Sequence, residues 1–137
     1  MESTEYVNVL NTMSLDIYQD NVAKGFDVRE ENIGQTLCLI HSEVSEALEA
    51  IRNDRNANFV GFNLLNTGEY LLETHTDAER FKYAFEAEIK DTFEDELADV
   101  FIRLMDLAGA MSINIGYHVA LKRKYNALRE FKHGKKF

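Results

Sequence analysis

The 137-residue chain has no proline, no tryptophan, one cysteine and only seven glycines. The lack of proline and scarcity of glycine remove most helix breakers and point to an α-rich fold. A lone Cys38 excludes an internal disulfide and a multi-cysteine zinc site. No apolar run approaches the length of a membrane span, and MESTEYVNVL has neither a basic n-region nor an apolar h-region. The expectation is a cytoplasmic protein without membrane association. Basic residues are also few, 15 against 24 acidic, for a net charge of −9. Residues 118–137 carry net +6 and residues 1–117 net −15. A nucleic-acid polymer needs a basic face, and this acidic body does not supply one. Such a charge division suits cations held in one place and anionic phosphate touched in another.

Apolar residues make up 45% of the chain, enough for one globular core. No repeat is visible. In the first segment Tyr6, Val9, Leu10, Met13 and Ile17 recur at helical spacing, predicting a helix over 4–23 that Gly25 ends. Ile33, Leu37, Ile40, Val44, Leu48 and Ile51 form one stripe over 30–53. Residues 54–76 lose the periodicity and read as an irregular insertion or lid. Helical pattern resumes at Asp77 with Thr76 as N-cap, and Thr92 either caps a fresh helix or lies in a bend. The span 93–111 is the most apolar helix, suited to a bundle centre or a subunit interface. Asn114 caps a last helix reaching Arg129, and an irregular tail follows. No segment alternates with period two. The expected architecture is all-α, a bundle of four to five helices in a single domain over 1–137, completed by oligomerisation.

Two acidic motifs carry the chemistry. Glu43-Val44-Ser45-Glu46 and Glu96-Leu97-Ala98-Asp99 each aim two carboxylates along one helix face. Glu43 lies roughly 100° round its helix from the apolar stripe, and Glu96 roughly 80° from its own in the same sense. If the stripes face each other on antiparallel helices, all four carboxylates converge on one side of the seam. Such a cluster repels itself and is costly without a cation. Hard oxygen donors suit magnesium, with manganese as an alternative. No Glu-x-x-His occurs, which disfavours a redox di-iron centre.

LIHSEVSEALEAIR followed by EDELADVFIRLMDLA resembles the paired Glu-x-x-Glu and Glu-x-x-Asp motifs of the MazG-like, all-α nucleoside triphosphate pyrophosphohydrolases. Lys122, Asn126 and Arg129 match the Lys-x-x-x-Asn-x-x-Arg pattern of that family's last helix, with HGKK after it. The resemblance covers residues 30–53 and 92–136. Departures are the 49 residues between Glu46 and Glu96, which make 54–90 look inserted, and Glu130 where many relatives have proline.

The resemblance implies magnesium-dependent hydrolysis of a (deoxy)nucleoside triphosphate to the monophosphate and pyrophosphate. Glu43, Glu46, Glu96 and Asp99 are then the metal ligands and catalytic carboxylates, one of which, or Glu49, orients the water. Lys122 and Arg129 clamp phosphate, and Asn126 bonds phosphate or sugar. The family's homodimers and homotetramers imply a site completed between subunits. Alternatives are a sibling acting on dUTP, dCTP or phosphoribosyl-ATP, and a non-catalytic acidic helical protein that binds cations or a partner. Lys124, Lys132, Lys135 and Lys136 suit solvation or loose steering of phosphate, and His133 an approach to it. Arg103 and Asp106 suit a structural ion pair. His41 and His118 suit surface or packing positions, and Cys38 a core or flank one. Phe59, Phe62 and Tyr70 are candidates to stack on a base or to pin the inserted segment to the body.

Overall fold

A computed structural model of the chain describes residues 3–68 and 76–129. Tyr70, Glu130, Lys132, His133, Lys135 and Lys136 lie outside the described residues. The described residues are all-helical, with six α-helices and no strand. These are α1 (Ser3–Ala23), α2 (Ile33–Arg52), α3 (Phe59–Asn66), α4 (Asp77–Glu88), α5 (Phe93–Ala110) and α6 (Ile115–Ala127), with one 3₁₀ turn at Glu30–Asn32 before α2. The chain forms two compact units, Met1–Thr36 with Leu104–Phe137, and Leu37–Arg103.

In the first unit, α1 stops where Gly25 takes φ 89°, a left-handed conformation glycine adopts without cost, and the Phe26 N–H returns to the Asn21 carbonyl at 3.0 Å. Small residues let the helices of this unit approach. A Cβ on Gly109 would collide with the Ser14 carbonyl and the Tyr18 Cβ, and one on Gly116 with the Val7 backbone. The buried Ser14 hydroxyl donates to the Met105 carbonyl at 2.8 Å. Asn11 ties α1 to the start of α6, donating to Asn114 Oδ1 at 2.7 Å and accepting the Gly116 N–H at 2.9 Å. Asn114 caps α6 as its sequence position predicts, accepting the Tyr117 N–H at 3.1 Å.

In the second unit, the segment read as irregular contains α3. Its sequence FVGFNLLN is apolar nearly all round, so it shows no helical period. What starts it is a cap: Asn58 Oδ1 accepts the Gly61 N–H at 3.0 Å, while Asn58 Nδ2 donates to Glu88 on α4 at 2.7 Å. Phe62 of α3 meets Phe81 of α4 edge-on, centroids 5.8 Å apart, so Phe62 pins this segment to its neighbour. Thr76 and Glu79 form a reciprocal capping box at the start of α4. Between α4 and α5 the chain breaks rather than bends. Asp91 sits at φ 60°, its N–H donates to the Asp95 carboxylate at 2.9 Å, and Thr92 Oγ1 accepts the Asp95 N–H at 3.4 Å. The Phe93 N–H then reaches the Arg55 carbonyl at 2.9 Å, and Glu94 accepts the Ala57 N–H at 2.9 Å, anchoring the start of α5.

The apolar stripes do not form the core of this unit. On α2 the buried residues are Glu43, Ala47 and Ala50, whereas Leu37, Val44, Leu48 and Ile51 are exposed. On α5 Glu96 is buried, whereas Leu97 and Phe101 are exposed. The condition of facing stripes, under which the sequence would bring the four carboxylates together, is therefore not the arrangement found in this unit. Alanine at positions 47 and 50 leaves the α2 backbone open to close approach on the acidic side, and the bulky aliphatics are turned roughly 100° away. Among the described residues no large side chain is fully buried.

Candidate metal centre

Carboxylates converge within the second unit from two helices. Glu43 on α2 and Glu96 and Asp99 on α5 place ligand oxygens within 4.8 Å of one another. The i, i+3 spacing puts Glu96 and Asp99 on one face of α5, and Glu43 lies on the side of α2 that Ala47 and Ala50 keep slim. Glu43 and Glu96 are buried, 6% and 5% exposed, and Asp99 is more open.

Charge crowding marks the cluster. Burial, with the charges of Glu46, Glu43, Asp99 and Asp95, raises the Glu96 carboxyl from 4.5 to about 7. Burial is also the first cause of the upward shift at Asp99, followed by Asp95 and Glu43, with Arg103 opposing. Among the acids of α2, Glu46 acts more strongly on Glu96, and Glu43 more strongly on Asp99. The Phe93 N–H at the start of α5 reaches the Arg55 carbonyl just past α2, while Arg103, ten residues on, reaches back to Glu43, so α2 and α5 run antiparallel.

Arg103 supplies the counter-charge. Its Nε donates to Glu43 Oε1 at 2.6 Å. The sequence suggested an ion pair for Arg103 and Asp106, but Arg103 turns to Glu43. Arg103 stands four residues after Asp99 and seven after Glu96, so the shared helix face was readable from spacing. The partner on α2 was not.

Three of the four expected carboxylates meet in the triad. Glu46 is exposed and stands outside it, acting on Glu96 and Asp99 through its charge. Glu49 is exposed, lies roughly 120° round α2 from Glu43, and accepts from Asn53 Nδ2 at 2.8 Å. His41, His118 and Cys38 are exposed.

Compared with protein-family models, curated proteins and solved structures, the chain matches none. The site therefore rests on its own geometry. Three carboxylates against one guanidinium leave a local excess of negative charge that is all oxygen donor, which fits a hard divalent cation such as magnesium or manganese.

Lys122, Asn126 and Arg129 belong to the first unit and are exposed. Arg129 follows the end of α6 at Ala127. Lys122 Nζ and the Arg129 guanidinium stand 5.3 and 5.9 Å from the Tyr125 ring centroid. The two cations are thus gathered on one aromatic ring.

Proposed function

We propose that the chain is a MazG-like nucleoside triphosphate pyrophosphohydrolase that takes magnesium, or manganese, at Glu43, Glu96 and Asp99. The single observation that carries the reading is the meeting of these three carboxylates from the two motif-bearing helices. The order of the motifs along the chain, with Lys122, Asn126 and Arg129 last, supports the same reading.

The reaction adds a water oxygen to the α-phosphorus and breaks the bridging bond to the β-phosphate. Nucleoside monophosphate and pyrophosphate leave, and the water's proton passes to a carboxylate. A divalent cation in the triad supplies neutralisation of the phosphate oxygens. Glu43, Glu96 and Asp99 would hold it, with the metal competing against Arg103 for the Glu43 carboxylate. Glu46 adds negative charge beside them. The resemblance would further give phosphate contacts to Lys122 and Arg129, and a phosphate or sugar contact to Asn126.

Association with a second copy of the chain, as a homodimer or within a homotetramer, belongs to this reading. Leu37, Val44, Leu48 and Ile51 share one exposed face of α2, and Leu97 and Phe101 share one of α5. The two faces are offset from the buried carboxylates in the same rotational sense, so on antiparallel helices they fall on the same side of the pair. A second copy would cover them.

The deciding experiment is pyrophosphate release from a panel of NTPs and dNTPs, including dUTP and dCTP, with magnesium and with EDTA. Magnesium-dependent pyrophosphate with a monophosphate as co-product is the expected result. Orthophosphate would mean a different bond and a different mechanism. No release from any nucleotide would give the non-catalytic cation-binding reading the advantage.

A further inference from the structure

Beside the acidic triad lies a cavity of about 410 Å³, within the roughly 300–1,000 Å³ range of small-ligand sites. It is lined by Phe81, Lys82 and Phe85 of α4, by Lys90 in the break after it, and by Asp95 and Asp99 of α5, among others. Asp99 is thus a wall of this cavity and a member of the triad. All of these residues belong to the second unit.

The aromatic wall is organised. Phe81 and Phe85 stack with centroids 6.0 Å apart and planes 26° from parallel. Phe62, which does not line the cavity, braces Phe81 edge-on. Phe81 still remains 52% exposed with two rings against it, so it offers apolar ring surface to a ligand. The polar lining is mixed in sign. Lys82 is 3.9 Å from Glu86 and so partly neutralised. Lys90 brings N–H donors, and Asp95 brings a carboxylate that already accepts the Asp91 N–H at one oxygen. Donors and acceptors beside an apolar ring wall suit an uncharged, flat, heteroatom-rich ring better than an aliphatic chain or a bare anion.

We infer that this cavity receives the nucleobase of the substrate, with Phe81 and Phe85 as its stacking wall and Lys90 and Asp95 reading its edge. The ligand then spans from a ring at α4 to phosphates at the triad, with Asp99 as the joint between the two. This rests on the triphosphate reading above. It assigns the stacking wall and Lys90 to α4 and the break after it, a stretch that no motif covers, and the remaining edge contact to Asp95 at the start of α5.

The chain has no tryptophan, so Phe81→Trp introduces a single reporter in the wall. Its emission is followed during titration with the four common nucleoside monophosphates, using inorganic pyrophosphate as the ring-less control. The expected result is saturable quenching by nucleotides and none by pyrophosphate. In parallel, Phe81→Ala raises KM for the preferred triphosphate by about five-fold or more, with kcat little changed, since ring stacking contributes roughly 1–3 kcal/mol per base. Phe81→Leu, which keeps apolar bulk and loses the ring face, serves if the alanine variant does not fold. Nucleotide quenching without turnover of any triphosphate would sustain the base site and sink the hydrolase reading. Turnover with an unquenched reporter and unchanged KM in Phe81→Ala and Phe81→Leu would overturn the base site and leave the hydrolase standing.

Discussion

Arg103 donates from Nε to Glu43 at 2.6 Å and is the cation opposing the upward shift at Asp99. The guanidinium therefore holds together a cluster that otherwise repels itself. Glu43 is 8% exposed at its side chain and Arg103 42%, so the pair is neither dry nor fully solvated. Arg103→Ala should lower the stability of the metal-free chain by about 1–2 kcal/mol, between surface and buried ion pairs. It should also tighten divalent binding, because the cluster loses its internal cation. Thermal melts in EDTA and manganese calorimetry read both. A variant as stable as the parent, with unchanged affinity, would remove Arg103 from the site.

Glu96 gives a pH signature. Its carboxyl rises from 4.5 to about 7 on folding, so between these values the folded state binds the proton the unfolded state releases. Stability from this group is fully present below about 4.5 and is lost as pH rises to about 7. Asp99 shifts in the same direction and adds to the trend. The expected urea midpoint in EDTA falls across that window, and magnesium flattens the fall by holding the ionised carboxylates. Glu96→Gln, which stays neutral, should remove most of the slope. A slope of equal size in this variant would place the titrating group elsewhere.

The triad and its neighbour separate by substitution. Asp99→Asn should weaken manganese binding and abolish pyrophosphate release with helicity intact, as read by circular dichroism. Glu46 lies outside the triad yet acts on it through charge, so Glu46→Gln should abolish turnover with a smaller loss of metal affinity. Equal activity of both variants and the parent would end the metal-site assignment.

Arg129 and Lys122 share the Tyr125 ring. Arg129→Ala should lower kcat/KM by about ten-fold, the loss of one charge-assisted contact to phosphate, with manganese affinity unchanged. An unchanged kcat/KM would make the guanidinium a cap for α6 and nothing more.

Gly109 tests the packing of the first unit. A Cβ there meets the Ser14 backbone, which cannot rotate away, so Gly109→Ala should destabilise by about 1–3 kcal/mol despite alanine's better helix propensity. Gly34, with open space round its would-be Cβ, is the control, and Gly34→Ala should be neutral or stabilising. Urea unfolding decides between steric cost and propensity.

Much of the helical layout was legible because its signals are local. Gly25, Thr76 and Asn114 act where their side chains or φ values are needed, and α1 ends as its spacing predicts. The break before α5 was open in the sequence because Thr92 suits a cap or a bend equally, and the left-handed Asp91 decides it. Helix α3 was missed because an apolar octapeptide has no period to detect. For the site, the i, i+3 carboxylates were readable within each helix. The face of α2 that turns inward was not, since hydrophobicity pointed to Leu37, Val44, Leu48 and Ile51 while burial fell on Glu43, Ala47 and Ala50. The cavity beside Phe81 and Phe85 was not legible, because residue spacing reports a shared helix face and not the space next to it.

The modest interior has a calorimetric consequence. Among the described residues the buried apolar ones are Ala47, Ala50, Ala84, Ile89, Met105, Leu107 and Ala108, four of them alanines. Heat capacity of unfolding scales with the apolar surface newly wetted. A dilute, dissociated chain should therefore unfold with a heat-capacity increment below the usual ~12–15 cal/mol/K per residue and with a shallow denaturant slope. If copies associate over the α2 and α5 aliphatics as proposed, raising the concentration should steepen both and carry the melting temperature upward.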